Sequence, residues 1–543
     1  MNAPTQQPTA KRARILSTIL AIVGMMGVLF GFAAWAISSP VSASPDDDYH
    51  LGSIWCPRPI DESGCTYDIK NGVISSVEVP EAITDSKKCV AFKPEKDASC
   101  ALDASDNELV PTNRFDDGGY PWGYYQLHHL LVGEDVHHSV VMMRLLNIII
   151  GLGGLFLVGA LAAPHIRHAL LIATFTAWVP MGVYFVASNN PTSWALSGCL
   201  IYGASLIAST ETTGRRRWAL LGTMALGAVL SMTSRTDSAF YLFVITLAMW
   251  FFIKITRDRL PTLLLSLLMS GLGLFVLSST GQTASLTADG GWPTYPNLST
   301  WRIFVLNVQS LPEHIASWWG LTWGPGWFDV PLLGWSTLAM VFVAGGVVFV
   351  AAHKLHVRKI FAITIMLGAL LGIPAVSLTL RQVQPVFYYQ GRYMLPLVAV
   401  ALLIWLTRRD RKIFFRSPSR LILLVGIVTW ANSMALRQII RRYSLGLADN
   451  TIIGFGSPKW WPWAISPTTV WALGSLAMLV GVIFILFVTI RSAAAQEQIA
   501  EPPTPVTTSP DFFDFDVPTT AQPDASEPHP TTSSPSTPPS TSR

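Results

Sequence analysis

Charged residues are scarce in this chain of 543 residues. Asp, Glu, Lys and Arg make up 13% of it, whereas a soluble globular domain carries about 25%. Half of the residues are hydrophobic, and they fall in repeated blocks of about 20, the length that crosses a bilayer core about 30 Å thick. The shortage of charge excludes an ordinary soluble enzyme and predicts a polytopic membrane protein.

Nucleotide-binding motifs are also missing. The chain has no P-loop, and Gly151, Gly153 and Gly154 lie inside an apolar block, where they indicate helix packing rather than a dinucleotide fingerprint. The net charge of +4 hides strong sorting, because residues 39–138 carry 18 acidic and 7 basic residues and the remainder carries 15 acidic and 30 basic residues. These features exclude nucleic-acid binding and favour a lipid-linked substrate over a nucleotide-linked one.

Twelve apolar segments predict an all-α polytopic membrane protein. Their approximate limits are 15–37, 139–162, 168–187, 192–210, 218–233, 238–254, 260–279, 332–352, 359–379, 392–407, 420–436 and 468–490. With the N-terminus inside, the inward segments hold 20 of the 30 Lys and Arg residues outside the acidic region, as the positive-inside rule requires. This orientation predicts a multi-pass protein of the cell (plasma) membrane with both termini cytoplasmic.

These limits divide the chain into seven regions. We expect a cytoplasmic N-terminus (1–14), a first transmembrane helix (15–37), an extracytoplasmic loop domain (38–138), helices two to seven (139–279), a Trp-rich extracytoplasmic loop (280–331), helices eight to twelve (332–490) and a disordered cytoplasmic tail (491–543). The first segment precedes Val41-Ser42-Ala43, which resembles a cleavage site, but its length of about 23 apolar residues favours an uncleaved signal anchor.

Cysteine is nearly confined to the loop domain. Cys56, Cys65, Cys89 and Cys100 lie on the side assigned to the oxidising compartment, whereas Cys199 lies in an apolar span. This distribution favours two disulfides. Of the three possible pairings, the shortest loops favour Cys56 with Cys65 and Cys89 with Cys100. Free thiols or a metal site are the alternatives, and a folded, disulfide-stapled cap is the expectation.

The tail and the second outer loop have unusual compositions. Residues 501–543 include 11 Pro and 16 Ser or Thr, too little apolar surface to offset the entropy of ordering. The acidic-aromatic segment 511–516 either docks an unknown cytoplasmic partner or is an accident of composition. In the Trp-rich loop we expect short interfacial helices, with Glu313 and His314 as minor site candidates.

An acidic cluster follows the first span directly. Asp46, Asp47 and Asp48 are adjacent, and His50 follows. Because three neighbouring carboxylates repel one another, at least one needs a raised pKa or a cation partner. The cluster therefore suits general-base chemistry or binding of Mg²⁺ or Mn²⁺, with Asp46 and Asp47 as ligands. A purely structural acidic end to a helix is the alternative.

Arginines near the outer ends of the spans are the second set of candidates. Arg392 stands in Gln390-Gly391-Arg392-Tyr393, and Arg235 and Arg144 lie at similar depths. A guanidinium suits a phosphate or pyrophosphate because its fixed donors bind two oxygens together. Snorkelling to lipid headgroups is the alternative for each arginine.

These motifs together resemble an uncharacterised family of bacterial polytopic membrane proteins, a group of unknown function placed near the GT-C glycosyltransferases. The matching pieces are Pro45-Asp46-Asp47 with His50, Arg144-Leu145-Leu146, and Gln390-Gly391-Arg392-Tyr393 with Pro396. The chain departs from the family pattern at Asp47, where Glu is frequent, and in its long cysteine-bearing loop. The second departure suggests a specialised acceptor.

The resemblance implies a fold and an activity. A GT-C-like enzyme would move a sugar from a polyprenyl-phosphate donor to an envelope glycan or lipid acceptor on the outer face. In that case Asp46 activates the acceptor or contacts a metal, Asp47 is the second choice and Asp48 is a solvated neighbour. Arg392 holds the carrier phosphate, and the remaining substrate-binding candidates are Gln390, Tyr393, Arg235, Arg144 and His50. A flippase or exporter of a lipid-linked precursor and a non-catalytic envelope-assembly scaffold are the alternatives.

Overall fold

The computed structural model describes residues 7–281, 292–352, 355–408, 410–448 and 455–500. The predicted disorder of residues 501–543 and the segment 511–516 lie outside the described residues. One boundary of the tail is corrected, because the last helix continues to Ala500 instead of ending near residue 490. Its final turns contain Ala, Gln and Glu, which are strong helix formers and propagate the apolar helix that precedes them.

Helices dominate the described residues. In chain order they are α1 (Gln7–Ala36), α2 (Asp47–Trp55), α3 (Glu81–Val90), α4 (Gly123–His129), α5 (Val136–Leu161), α6 (Pro164–Trp178), α7 (Met181–Val186), α8 (Thr192–Ser209), α9 (Gly214–Ser234), α10 (Thr236–Phe252), α11 (Leu260–Ser279), α12 (Thr300–Gln309), α13 (Leu311–Ser317), α14 (Gly334–Ala351), α15 (Val357–Leu380), α16 (Leu395–Leu406), α17 (Pro418–Ser444) and α18 (Pro467–Ala500).

Among the described residues, seven helices are long and apolar enough to cross a membrane, so the protein is a multi-pass membrane protein. They lie at Arg14–Ala36, Val136–Leu161, Arg257–Ser279, Gly334–Ala351, Val357–Leu380, Pro418–Ser444 and Pro467–Gln496. Each of the twelve segments expected from the sequence contains helix, but α10 and α16 have only 17 and 12 residues. The segment 168–187 is divided between α6 and α7. The count of twelve spans therefore stays a prediction.

The centre of the helical region is α8. Every residue of this helix is buried, and it packs along α9. A Cβ at Gly198 would lie 2.7 Å from the Gly227 carbonyl oxygen, so the two backbones touch where both residues lack side chains. Close approach at small residues is the usual way in which membrane helices associate. The close packing of α8 and α9 fixes the position of the segment between α9 and α10, which carries Arg235.

The loop domain between α1 and α5 is not purely helical, which corrects the all-α prediction. It contains a three-stranded antiparallel sheet in the order β1 (Tyr67–Lys70), β2 (Val73–Pro80) and β3 (Leu109–Thr112). Asn71 and Gly72 both have positive φ between β1 and β2, and Asn-Gly is the preferred two-residue hairpin turn. Val77 and Val79 are fully buried, so alternation along β2 was the sequence signal for a strand.

Two disulfides staple this domain, as predicted. Cys56 is bonded to Cys65, and Cys89 is bonded to Cys100, while Cys199 is free and buried in α8. The first disulfide joins the end of α2 to the segment before β1. The second joins α3 to a 3₁₀ turn at Ser99–Leu102. The first disulfide therefore anchors the C-terminal end of α2, and the second anchors α3, whose Lys87 contacts Asp48.

The Trp-rich loop packs against the start of the loop domain. Its short helices α12 and α13 are present, as expected from the sequence. Trp327 donates from Nε1 to the backbone oxygen of Ser42 at 2.9 Å, and Trp323 donates to that of Phe387 at 2.6 Å. These bonds tie the segment before α2 and the segment before α16 to the same loop.

Candidate functional site

Asp46 is the point where the acidic cluster meets the second predicted motif. It precedes α2 in a left-handed conformation, with φ of 61°. Its Oδ2 lies 3.2 Å from Nη2 of Arg392, and its Oδ1 lies 3.1 Å from Nη2 of Arg114. The side chain is 42% exposed. Asp46 and Arg114 thus form the accessible edge of a charge cluster in which Arg392 is buried.

Arg392 lies deeper than Asp46, in a 3₁₀ turn at Gly391–Tyr393. Only 2% of its side chain is exposed. Nη2 also donates to the Tyr393 hydroxyl at 3.1 Å. Nε and Nη1 are buried and have no hydrogen-bond partner among the described residues. Leaving such donors unpaired is costly, so Arg392 has unused capacity for an oxygen-rich ligand.

Aromatic rings surround the Arg392 guanidinium. Its central carbon lies 5.4 Å from the ring centroid of Phe185 and 5.1 Å from that of Phe328. Rings at this distance stabilise a cation while excluding water. Beside this turn, the buried Oε1 of Gln390 also lacks a hydrogen-bond partner within the described ranges. The segment from Gln390 to Tyr393 therefore contains buried polar atoms that lack hydrogen bonds to any described residue, and aromatic rings surround its arginine.

Arg114 is the site residue that the sequence reasoning missed. It donates from Nε to Asp48 Oδ2 at 3.0 Å and reaches Asp46 with Nη2. Lys87 also contacts Asp48, at 2.7 Å. Asp48 is 4% exposed, so the expectation of a solvated neighbour was wrong. The available signal was the repulsion among three adjacent carboxylates, which required cations from elsewhere in the loop.

Asp47 and Arg144 form a separate buried pair. Asp47 is fully buried, and its Oδ2 lies 3.7 Å from Nη2 of Arg144. Arg144 also donates to the backbone oxygens of Ala36, Ser39 and Pro40 at 3.0, 2.7 and 2.8 Å. Arg144 therefore holds the turn between α1 and α2, and the structure does not bring it to Asp46.

Arg235 and Arg392 contact the same aromatic ring, that of Tyr393. Arg235 makes a two-pronged ion pair with Asp237, at 2.9 and 2.8 Å. Its guanidinium carbon lies 4.7 Å from the ring centroid of Tyr393, which also contacts Arg392. Asp237 is therefore the ion-pair partner of Arg235. Arg235 stands beside the site with its charge already neutralised.

The ionisation of two site residues is strongly biased. Burial favours the neutral form of Asp46, but the cations Arg392 and Arg114 outweigh that effect and lower its pKa to about 2. Burial lowers the pKa of His50 to about 3. His50 Nδ1 lies 3.0 Å from the Tyr125 hydroxyl. At neutral pH the site holds an ionised Asp46 beside a neutral His50.

Asp46 and Asp47 do not converge on a common point. Asp46 contacts Arg392 and Arg114, whereas Asp47 contacts Arg144. Within the described ranges no group of three or more His, Cys, Asp or Glu side chains is arranged to hold a metal ion. The donor set therefore does not fit the expected Mg²⁺ or Mn²⁺ site. Of the minor candidates, His314 is buried beside Tyr389, and Glu313 is exposed.

Comparisons with known proteins identify a family for most of the chain. A family model described as "Predicted membrane protein (DUF2142)" matches residues 29–401. This range includes Asp46, Arg114, Arg235 and Arg392. No curated protein and no solved structure matches the chain significantly.

Proposed function

The chain belongs to this DUF2142 family of predicted membrane proteins, and from the contact between Asp46 and Arg392 we propose that it is a glycosyltransferase of the GT-C type. In this proposal a sugar passes from a polyprenyl-phosphate donor to an envelope glycan or lipid acceptor. The observation that carries it is a buried guanidinium with two unpaired nitrogens touching a half-exposed carboxylate.

The two residues match the two needs of such a reaction. A departing lipid phosphate needs a fixed cation, which Arg392 supplies from a water-poor aromatic enclosure where electrostatic interactions are strong. An acceptor hydroxyl needs a base, which Asp46 supplies from its exposed side. The two groups are 3.2 Å apart, so one pair of bound substrates can contact both, and orientation contributes to the rate.

The bond changes follow from these positions. The acceptor oxygen attacks the anomeric carbon of the donor sugar, and the bond from that carbon to the phosphate oxygen breaks. The phosphate leaves with the electron pair and binds to Arg392, and the acceptor proton passes to Asp46. In the resting state Asp46 is a weak base because Arg392 and Arg114 stabilise its charge. A phosphate that engages Arg392 competes for the cation and raises the basicity of Asp46.

The remaining residues act indirectly in this proposal. Arg114 and His50 orient Asp46, and Tyr393 and Arg235 support the face of Arg392. Asp47 and Arg144 hold the turn that delivers Asp46. The outer face of the plasma membrane, the cytoplasmic termini and the twelve-span GT-C topology belong to the same proposal, and the positive-inside distribution of Lys and Arg supports them.

The test is in vitro transfer from polyprenyl-phosphate sugars by the purified full-length protein. We expect Asp46→Asn and Arg392→Ala each to lower the transfer rate by ~100-fold or more, because an interaction with developing charge is lost. Asp61→Asn is the matched control, since Asp61 is an exposed carboxylate in the same loop domain.

Three outcomes would count against the proposal. The first is full transfer by both site variants, and the second is an equal loss in the Asp61→Asn control. The third is that no donor in the panel is turned over while the protein moves a lipid-linked precursor across vesicles. That last result would support the flippase alternative. All variants need normal membrane levels for the comparison.

A further inference from the structure

A polar cavity lies at the C-terminal ends of α8, α10 and α16. These helix ends point away from the loop domain. The volume of the cavity is about 420 Å³. Its basic lining residues come from three separate stretches of chain, and they are Lys254, Arg259, Arg358, Arg408 and Arg411. The lining contains one carboxylate, Glu211. We call this cavity the basic pocket.

Among the described residues, Lys254, Arg259 and Arg358 form no ion pair with a carboxylate, whereas Arg408 and Arg411 do. Glu211 Oε2 lies 3.5 Å from Nε of Arg411 and 3.2 Å from Nε2 of His165. Arg408 pairs with Asp410. Glu211 is thus paired with Arg411, and Asp410 is paired with Arg408.

The other arginines in the basic pocket bond mainly to the backbone. Arg358 donates from Nη1 to the Ile253 oxygen at 3.1 Å. Arg259 donates from Nη1 to the Lys254 oxygen at 3.0 Å. The Nε atom of Arg259 is buried, and within the part of the chain that the structure describes it has no hydrogen-bond partner. The pocket therefore combines excess positive charge with an unused guanidinium donor.

Lys and Arg are common on the inner side of membrane proteins, and most of them project separately into water or lipid headgroups. Here five such side chains from distant parts of the sequence line one cavity. Guanidinium groups bind phosphate oxygens through charge-assisted and often two-pronged hydrogen bonds. We propose that the basic pocket binds a phosphate-bearing anion.

This site is separate from the one formed by Asp46 and Arg392, and it does not depend on the glycosyltransferase proposal. A phosphate group could come from the headgroup of an anionic phospholipid at the membrane surface or from a soluble polyphosphate compound. Both sources present the same oxygens to the arginines. The experiment therefore uses one probe of each kind.

The full-length protein in detergent is titrated with inorganic pyrophosphate by calorimetry and, separately, with phosphatidylglycerol by native mass spectrometry. The pocket variant is Arg259→Gln with Arg358→Gln. We expect at least one probe to bind the unmodified protein, and its Kd to rise by about tenfold or more in the variant, because two charged donors are lost. Lipid binding alone indicates a headgroup site, and pyrophosphate binding alone indicates a soluble ligand.

The matched control is Arg215→Gln with Arg257→Gln. These two arginines are exposed and lie near the same helix ends, but they do not line the pocket. Their removal lowers the net charge equally and is expected to leave Kd unchanged. The proposal is overturned if neither probe binds, if the pocket variant binds as the unmodified protein does, or if both variants weaken binding to the same extent.

Discussion

Asp46 and Arg392 are 346 positions apart in the chain, yet Asp46 Oδ2 and Arg392 Nη2 lie 3.2 Å apart. Asp46 reaches this position through a left-handed backbone conformation, with φ of 61°. Arg392 reaches it because Gly391 lets the 3₁₀ turn approach α13. The contact therefore depends on backbone geometry at both ends, and disturbing either backbone would separate the charges.

The first prediction tests that dependence at Gly391. A Cβ there would lie 2.3 Å from Ser317 Oγ and 2.9 Å from the Ser317 carbonyl carbon. The backbone carbon of α13 cannot move aside cheaply, so Gly391→Ala should displace the turn that carries Arg392. We expect transfer activity to fall by ~10-fold or more, because small displacements of a positioned charge are costly. The measurement is the transfer rate at equal membrane levels.

Gly372→Ala is the control for this change. Gly372 lies within α15, and a Cβ there would meet nothing within 4 Å. This substitution should leave the activity unchanged and slightly favour the helix. If Gly391→Ala retains the activity of the Gly372→Ala control, the close approach of the turn to α13 does not position Arg392.

The sequence identified both ends of the main contact but not their pairing. Asp46 and Arg392 stood out by residue type and by nearness to the outer ends of spans. Their contact depends on how α2 and the turn before α16 pack, and no local pattern encodes that packing. Arg114 was missed for the same reason, since an arginine in an irregular loop has no periodicity to mark it.

Asp47 and Arg144 show the opposite case. Both were chosen as site candidates because polar groups near a membrane suggest function. In the structure they form an ion pair, and Arg144 also donates to backbone oxygens. Whether a buried charge faces a ligand or another residue of the protein depends on tertiary contacts, which residue types alone do not reveal.

The second prediction concerns the stability supplied by Arg144. This side chain binds three backbone oxygens in residues 36–40 and is the partner of buried Asp47. Removing one member of a buried pair costs about 3–5 kcal/mol, because the other charge stays buried alone. We therefore expect Arg144→Ala to lower Tm strongly in detergent. Arg302→Ala, at an exposed position on α12, should change Tm little.

A double variant separates the lost ion pair from the lost backbone bonds. If the buried charge of Asp47 is the main cost, Asp47→Asn should recover part of the Tm lost in Arg144→Ala. A double variant that is less stable than both single variants would contradict this account and would assign the loss mainly to the turn.

The third prediction concerns pH and His50. Burial lowers the pKa of His50 to about 3 in the folded protein, whereas an unfolded His titrates near 6.5. Between these two pKa values the unfolded state binds more protons than the folded state does. The contribution of His50 to the free energy of unfolding therefore rises with pH between them and is constant at higher pH. His128, with a pKa of about 4 after burial, acts in the same direction.

The measurement is Tm at pH 5 and at pH 7 for the unmodified protein and for His50→Gln. Removing the buried imidazole should reduce the loss of Tm on acidification, even if the Tm at pH 7 falls because the Tyr125 contact is lost. An equal or larger acid loss in the variant would show that His50 is not held neutral in the fold.

The fourth prediction concerns the disulfides. Unreduced protein, once denatured, should label with one equivalent of a thiol reagent, at Cys199, and reduced protein should label with five. Replacing Cys89 and Cys100 by Ser should lower the stability of the loop domain by about 2–3 kcal/mol, because the disulfide restricts a short loop of the unfolded chain. Labelling at more than one cysteine without reduction would contradict this pairing.

The last prediction assigns Arg114 a positioning role that a purely structural residue would not have. Its charge helps to lower the pKa of Asp46, so Arg114→Gln should raise that pKa. If Asp46 must be ionised to accept the acceptor proton, the acid limb of the transfer pH profile should move to higher pH in this variant. Removing a cation destabilises the carboxylate, which fixes the sign of the shift.

Arg58→Gln provides the matched comparison, because Arg58 also pairs with a loop-domain carboxylate, Asp116, at 2.8 Å. Losing that pair should lower Tm to a similar degree without moving the acid limb, since Asp116 is not Asp46. If both variants move the limb equally, general loosening of the loop domain explains the effect. If neither moves it while transfer persists, Asp46 does not set the pH dependence, and the base in this reaction is another group.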